Sequence, residues 1–287
     1  MDRRNCLQLL AAAGNSVIGL PTFAAGERLR IGLTAVILAD QVAFLSRWGR
    51  YLSERVGCEV SFVARDSYQS ILNLLASGQI DVAWICGYPY VRYEASLSLF
   101  AVPLYQDRPE YQSYLIRPQG GAAAIQGWAD LRGKVLAYSD PLSNSGWLVA
   151  QVQLARVRLR SRDLKRSFFA HGHRNVAEAV AARLADAGAI DGYVWETMRQ
   201  QGMAAVAQTE VVWKSAFFGF PPLVTKQGAG NPYAAGLQAA LLAMPQDETG
   251  RELLRALNLT GFTKGTPAIF DSILQQAKTV PGSGLVS

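Results

Sequence analysis

Beyond its first two dozen residues, the sequence has no apolar run approaching the ~20 residues that a membrane-spanning helix requires, so the mature chain reads as soluble. Charge is sparse, at 17% of residues, and half of the chain is hydrophobic, which excludes an extended disordered protein. Histidine is nearly absent. His171 and His173 form a His-x-His pair, but no carboxylate or cysteine stands near them at ligand spacing, so neither a metal nor any other cofactor is expected. The sequence lacks a Gly-x-Ser-x-Gly elbow, and Gln119–Ala124 is not followed by the Gly-Lys-Ser/Thr of a phosphate-cradling loop. Serine hydrolases and P-loop nucleotide hydrolases are thereby set aside.

Cysteine is also scarce, with three in all. Cys6 belongs to an N-terminal segment of a different character. Arg3 and Arg4 precede an apolar stretch from Cys6 to Leu20, and small residues follow at Thr22, Ala24, Ala25 and Gly26. Positive end, short greasy core and small-residue cleavage site make residues 1–25 an export signal, and the paired arginines resemble a twin-arginine signal. A periplasmic location is expected. Cleavage lowers the net charge from +6 to +5, an excess suited to attracting small anions. The densest basic stretch, Arg156–Arg166, alternates with apolar residues and reads as a solvated face, not as a nucleic-acid surface.

The remaining 260-odd residues suffice for two domains of about 100–150 residues each. Leu29–Thr34, Glu59–Ala64 and Asp81–Cys86 read as strands, with helical spacing over Gln41–Val56 and Tyr68–Ala76 between them. A second cycle follows, with strands at Lys134–Tyr138, Ser167–Ala170 and Ala189–Trp195 and helices at Trp147–Leu154 and Val176–Ala185. Alternation of this kind predicts an α/β fold of two doubly wound lobes. The crossings at Ala101–Pro118 and Phe217–Thr225 would join them, with 27–115 plus 224–287 as a discontinuous first lobe and 116–223 as the second. Such a pair can close by a hinge around a ligand.

Ligands of open parallel sheets sit beyond the carboxyl ends of the strands. That rule selects Asp140-Pro141-Leu142-Ser143-Asn144-Ser145-Gly146, which follows a strand and opens a helix. One hydroxyl suffices to cap a helix; Ser-Asn-Ser-Gly offers more donors than a cap uses, as an anion site would.

In order and spacing these motifs resemble the periplasmic binding proteins of phosphonate, phosphite and phosphate ABC transporters. The likeness is carried by Ser67-Tyr68, Gly78-Gln79-Ile80-Asp81-Val82-Ala83, Tyr90, Ser143-Asn144-Ser145-Gly146, Gly172-His173 and Asp191-Gly192. It implies a type II binding-protein fold without catalysis, a monomer that hands a small oxyanion to a membrane permease. It further implies a cleft in which Tyr68 and Tyr90 meet Ser143, Asn144, Ser145, Gly146 and His173. The chain departs from the family pattern at Asn144, at the return segment Ser215–Pro222 and at Cys86.

On the doubly wound plan, Cys58 and Cys86 fall at opposite ends of neighbouring strands, too far apart for a disulfide. Cys86 would face the cleft, either as a small buried hydrophobe or as a soft ligand. The second use resembles arsenite-binding sensors that signal to a membrane receptor such as a sensor kinase. A third use, as a catalytic nucleophile, lacks an evident base. Glu196, placed just after a strand, is a candidate acceptor for a ligand amine or hydroxyl.

Overall fold

The computed structural model describes residues 28–34, 42–120 and 125–285. The expected export signal at 1–25 therefore lies outside the described residues, as does most of Gln119–Ala124. The chain begins with β1 (Arg28–Leu33), α1 (Val42–Val56), β2 (Glu59–Ala64), α2 (Tyr68–Ala76) and β3 (Val82–Trp84). Strand β1 pairs in parallel with β2 on one side and β3 on the other, each reached through one helix. Helix α1 forms because its apolar residues recur on one face. Trp48 and Leu52 are fully buried there, and the Trp48 ring stacks on Phe62 with centroids 4.8 Å apart. Helix α2 starts where Ser67 Oγ accepts the Ser70 N–H at 3.2 Å.

Next come α3 (Gly87–Arg92) and β4 (Leu97–Leu104), after which the chain leaves this sheet. It then builds β5 (Glu110–Pro118), β6 (Val135–Tyr138), α4 (Val149–Arg156), β7 (Arg166–Phe169), α5 (His173–Ala181), β8 (Ala187–Asp191), α6 (Gly192–Gln200), α7 (Ala204–Ala207) and β9 (Thr209–Gly219). Returning, it adds β10 (Leu223–Lys226), α8 (Ala234–Ala243), α9 (Glu248–Ala256), β11 (Gly261–Thr263) and α10 (Asp271–Thr279). The first sheet has the order β11-β4-β10-β3-β1-β2 and the second β7-β6-β8-β5-β9. Two lobes, each a mixed sheet with helices, are therefore joined by the short stretches 105–109 and 220–222.

Two differences from the expected elements bear on the site. Ala189–Trp195 is not one strand: β8 stops at Asp191, whose carboxylate Oδ1 accepts the Val194 N–H at 3.2 Å and starts α6. Glu196 consequently sits on a helix. Nor do the expected strands include Gly261–Thr263, which pairs with β4 as an edge strand. Helix α10 touches α3 of the first lobe and also α4 and β9 of the second.

The two lobes meet along the carboxyl ends of their parallel strands. There the Tyr88 ring stacks on Trp147, with centroids 5.9 Å apart. Farther along, the Tyr193 hydroxyl donates to the Leu257 carbonyl. Cys58 and Cys86 are both buried, at opposite ends of the first sheet, and are not joined to each other.

Candidate functional site

Between β6 and α4 the chain makes a wide turn. Leu148 N–H donates to the Ser143 carbonyl at 3.0 Å, giving a single π turn over Asn144–Leu148, a form common at functional sites. Ser143 Oγ caps it by accepting the Gly146 N–H at 2.9 Å, so this serine is committed to the backbone. Gly146 is required by close approach. A β-carbon there would collide with Ser139 Oγ. Ser113 Oγ supports the turn from β5 by donating to the Ser145 carbonyl at 2.8 Å.

From α5 comes His173, buried and held by the backbone of the next strand. Its Nδ1 accepts the Asp191 N–H at 3.0 Å. A neutral imidazole that accepts at Nδ1 carries its proton on Nε2, so His173 presents a donor. Burial pushes its pKa down to about 3, which keeps it neutral. The entry to α5 is sharp, with positive φ at His171 and Gly172, and this aims the helix start at the cleft.

Several buried polar atoms converge here without a well-aligned partner: Ser139 Oγ, Ser145 Oγ and His173 Nε2 as donors, Asn144 Oδ1 and Asp191 Oδ2 as acceptors. Leaving such groups unpaired costs about 1–3 kcal/mol each, so their concentration in one place marks a site that partners them from outside the chain.

The first lobe supplies the opposite wall. Tyr68, at the start of α2, donates its backbone N–H to Asp140 Oδ2 at 3.4 Å and lines a narrow pocket with Thr34, Asp66, Ser139, Asp140, Gly172 and His173. None of these is a lysine or arginine. Cys86 Sγ accepts the Asn144 N–H at 3.2 Å and lies 3.9 Å from the Tyr111 hydroxyl, which in turn accepts from Asn144 Nδ2 at 3.0 Å. The thiol is thus engaged by its own chain. Burial pushes its pKa up, as it does for Tyr68 and Tyr111. Asp140 is also raised by burial, less the effect of the N–H groups of Leu142 and Tyr68.

Tyr68, Cys86, Ser143, Asn144, Ser145, Gly146 and His173 are therefore brought together. Tyr90 and Glu196 are not. The Tyr90 ring packs edge-on against Phe270 with centroids 4.9 Å apart, and Tyr88 is the tyrosine of α3 that reaches the second lobe. Glu196 pairs with Arg199 at 2.8 Å and accepts from the Tyr114 hydroxyl at 3.4 Å. Sequence reasoning passed over Ser139 and Tyr111, and named Asp191 as part of a family motif but not as a cleft residue. Ending the strand at Asp191-Gly192 would have placed that carboxylate at a strand terminus; Tyr111 gave no signal, because it comes from β5, a strand antiparallel to both of its neighbours β8 and β9, outside the parallel strand-end rule.

Comparison with known proteins bears on the family and the fold. Residues 32–269 match the family described as ABC transporter, phosphonate, periplasmic substrate-binding protein. The phosphate-import protein PhnD of Mycolicibacterium smegmatis is 30% identical over 227 residues, which cover 73% of this chain and 70% of that protein. Among solved structures, a binding protein component of an ABC phosphonate transporter from Pseudomonas aeruginosa superposes with a TM-score of 0.79 at 19% identity, covering 87% of this chain and 85% of that one. PhnD1 from Prochlorococcus marinus in complex with methylphosphonate gives 0.77 at 17% identity, covering 88% and 97%.

Proposed function

This chain belongs to the periplasmic substrate-binding proteins of phosphonate ABC transporters, and on that footing we propose that it captures a phosphonate or phosphate-like oxyanion between Tyr68 of the first lobe and the Ser139, Asn144, Ser145 and His173 groups of the second. The observation that carries this reading is the convergence of unpaired buried donors, two serine hydroxyls and one imidazole N–H, on the carboxyl ends of β6 and β8. Three such donors suit the oxygens of a tetrahedral anion. The relative from M. smegmatis is named for phosphate import and the P. marinus protein holds methylphosphonate; both ligands present the same PO3 face.

Capture works by closure. Donors from both lobes reach one ligand only when the lobes meet, so the ligand stabilises the closed form over the open one. The stretches 105–109 and 220–222 would serve as the hinge, which puts the lobe boundaries near residues 109 and 222, with β5 wholly in the second lobe. The protein acts as an exported monomer that delivers its ligand to a membrane permease and performs no chemistry on it. Among the described residues, no helix is long and apolar enough to cross a membrane.

Calorimetric titration of the purified protein with methylphosphonate, inorganic phosphate and sulfate tests the reading. Binding of either phosphorus oxyanion that weakens at least about tenfold in Ser145→Ala supports it, the loss of one good hydrogen bond to an anion being worth roughly that factor. Absence of binding to both phosphorus oxyanions would overturn it.

A further inference from the structure

Opposite the cleft, the second lobe ends in a concentration of positive charge that oxyanion capture does not use. Strands β6, β7 and β8 run parallel, with Val135 beside Arg166 and Leu136 beside Ala187, so their amino ends share one edge. The cleft lies at their carboxyl ends, about 15 Å away for strands of this length. Around the amino ends, Arg156, Arg158, Arg160, Arg162, Lys165 and Arg166 are all exposed. Arg132 joins them from the loop before β6, and Arg183 from the turn between α5 and β8. The carboxylates of these turns, Asp130, Asp163 and Asp186, each accept backbone N–H groups. Of the three, Asp163 alone pairs with a cation, Arg132 at 3.1 Å. The first lobe is built otherwise: Arg47 pairs with Glu252, Arg55 with Asp247, and Arg251 and Arg255 share Glu248.

Local structure accounts for part of this charge. A cation complements the carboxyl end of α4 and of α5, and a charged start keeps the edge strand β7 from pairing with another chain. Arg160 and Arg162 serve neither purpose. Two exposed aliphatic side chains stand in the same field: Val157 between Arg156 and Arg158, and Leu184 after Arg183, 36% and 63% exposed. Arg158 and Arg183 both hold φ at 57°, just past a helix end, where glycine is customary. Each turn therefore presents an aliphatic tip beside an exposed arginine. Such tips suit the boundary between phospholipid headgroups and acyl chains, with guanidinium groups reaching the phosphates. Nucleic acid fits less well, because Phe168 and Phe169 of β7 are half-buried and Arg166 covers the Phe168 ring at 5.3 Å, leaving bases no open face to stack on. We propose that the amino-end face of β6, β7 and β8 docks on an anionic phospholipid bilayer, holding the protein at the membrane that carries its permease. Residence there raises its effective concentration near the permease. The attachment does not depend on what the cleft holds.

The test is co-sedimentation of the full-length protein with vesicles of phosphatidylcholine, alone or with about one-third phosphatidylglycerol. Wild type should bind the phosphatidylglycerol vesicles at least about tenfold more tightly, each basic residue at an anionic surface contributing about fivefold. Raising salt from about 0.05 M to about 0.5 M should remove that preference. Exchanging Arg158, Arg160 and Arg162 together for glutamine should weaken binding at least about thirtyfold. None of the three lines the pocket, and an unchanged melting temperature shows that the variant is folded. Leu184→Ser should weaken binding by about fivefold, as a leucine tip leaves the headgroup boundary. Equal wild-type binding to both kinds of vesicle overturns the proposal. So does a triple variant bound as tightly as wild type, which would assign attachment to another part of the chain. Leu184→Ser bound as tightly as wild type marks a general polyanion surface and overturns the bilayer as its partner. The lipid and salt comparisons need no variant.

Discussion

Cys86 Sγ accepts the backbone N–H of Asn144 at 3.2 Å, so a thiol at the end of β3 closes a hydrogen bond with the π turn of the opposite lobe. The contact exists only while the lobes are together. Burial raises the thiol pKa, which keeps the thiolate scarce near neutral pH. Alkylation of Cys86 by iodoacetamide, followed by mass spectrometry, should therefore run at least about tenfold slower than for an exposed cysteine. Adding inorganic phosphate should slow it further, since the ligand holds the closed form. Equal rates with and without phosphate would count against closure around this residue.

Gly146 offers a sharper structural probe. A β-carbon at this position meets Ser139 Oγ and Cβ, both fixed in the wall of the site. Gly146→Ala should cost about 1–3 kcal/mol in chemical denaturation, the usual penalty for overpacking. It should also weaken oxyanion binding, because Ser139 must move. Wild-type stability together with wild-type affinity would show that the turn relaxes freely.

Tyr111 links two groups, since its hydroxyl accepts from Asn144 Nδ2 and lies beside Cys86. Tyr111→Phe leaves a buried amide donor unpaired. Urea denaturation should register a loss of about 1–3 kcal/mol.

Two buried groups pull the stability profile in opposite directions. Asp191 binds its proton more tightly when folded, with a pKa of about 7, so its contribution is complete below the unfolded value of about 3.9 and is lost as pH rises through 7. His173 is the reverse case. Its folded pKa of about 3 lies below the unfolded 6.5, so its contribution is complete above 6.5 and is lost as pH falls through 3. Between about pH 4.5 and about pH 6.5 the two slopes, each near 1.4 kcal/mol per pH unit, cancel. Urea midpoints of the unliganded protein should carry little net slope from this pair there. Asp191→Asn should unmask a rise with pH, and His173→Asn a fall. A variant profile parallel to wild type would contradict the assignment.

The fold was readable because its signals are periodic. Trp48 and Leu52 on α1, and the buried Val82–Trp84 strand, announce themselves by spacing alone. The Ser-Asn-Ser-Gly turn was readable because its side chains exceed what a cap consumes. Tyr90 was not resolvable from Tyr88, two residues away on one short helix, since which of them meets Trp147 depends on how the lobes dock. Asp191 was legible as a motif residue, but its place at the strand's end was hidden: Tyr193, Val194 and Trp195 extend an apolar run past it, although Gly192 begins a helix. Contacts made between distant elements leave no periodic trace.

The lining of the pocket (Thr34, Asp66, Tyr68, Ser139, Asp140, Gly172 and His173) contains neither guanidinium nor ammonium. A pocket that grips an anion with hydroxyl, imidazole and backbone dipoles, and whose formally charged side chains are the aspartates Asp66 and Asp140, has no attractive ion pair for dissolved salt to screen. Its hold on the ligand should therefore survive large swings in external salinity, to which the periplasm is more directly exposed than the cytoplasm. Release would then be governed by mechanical separation of the lobes on the permease, rather than by competition from ambient ions.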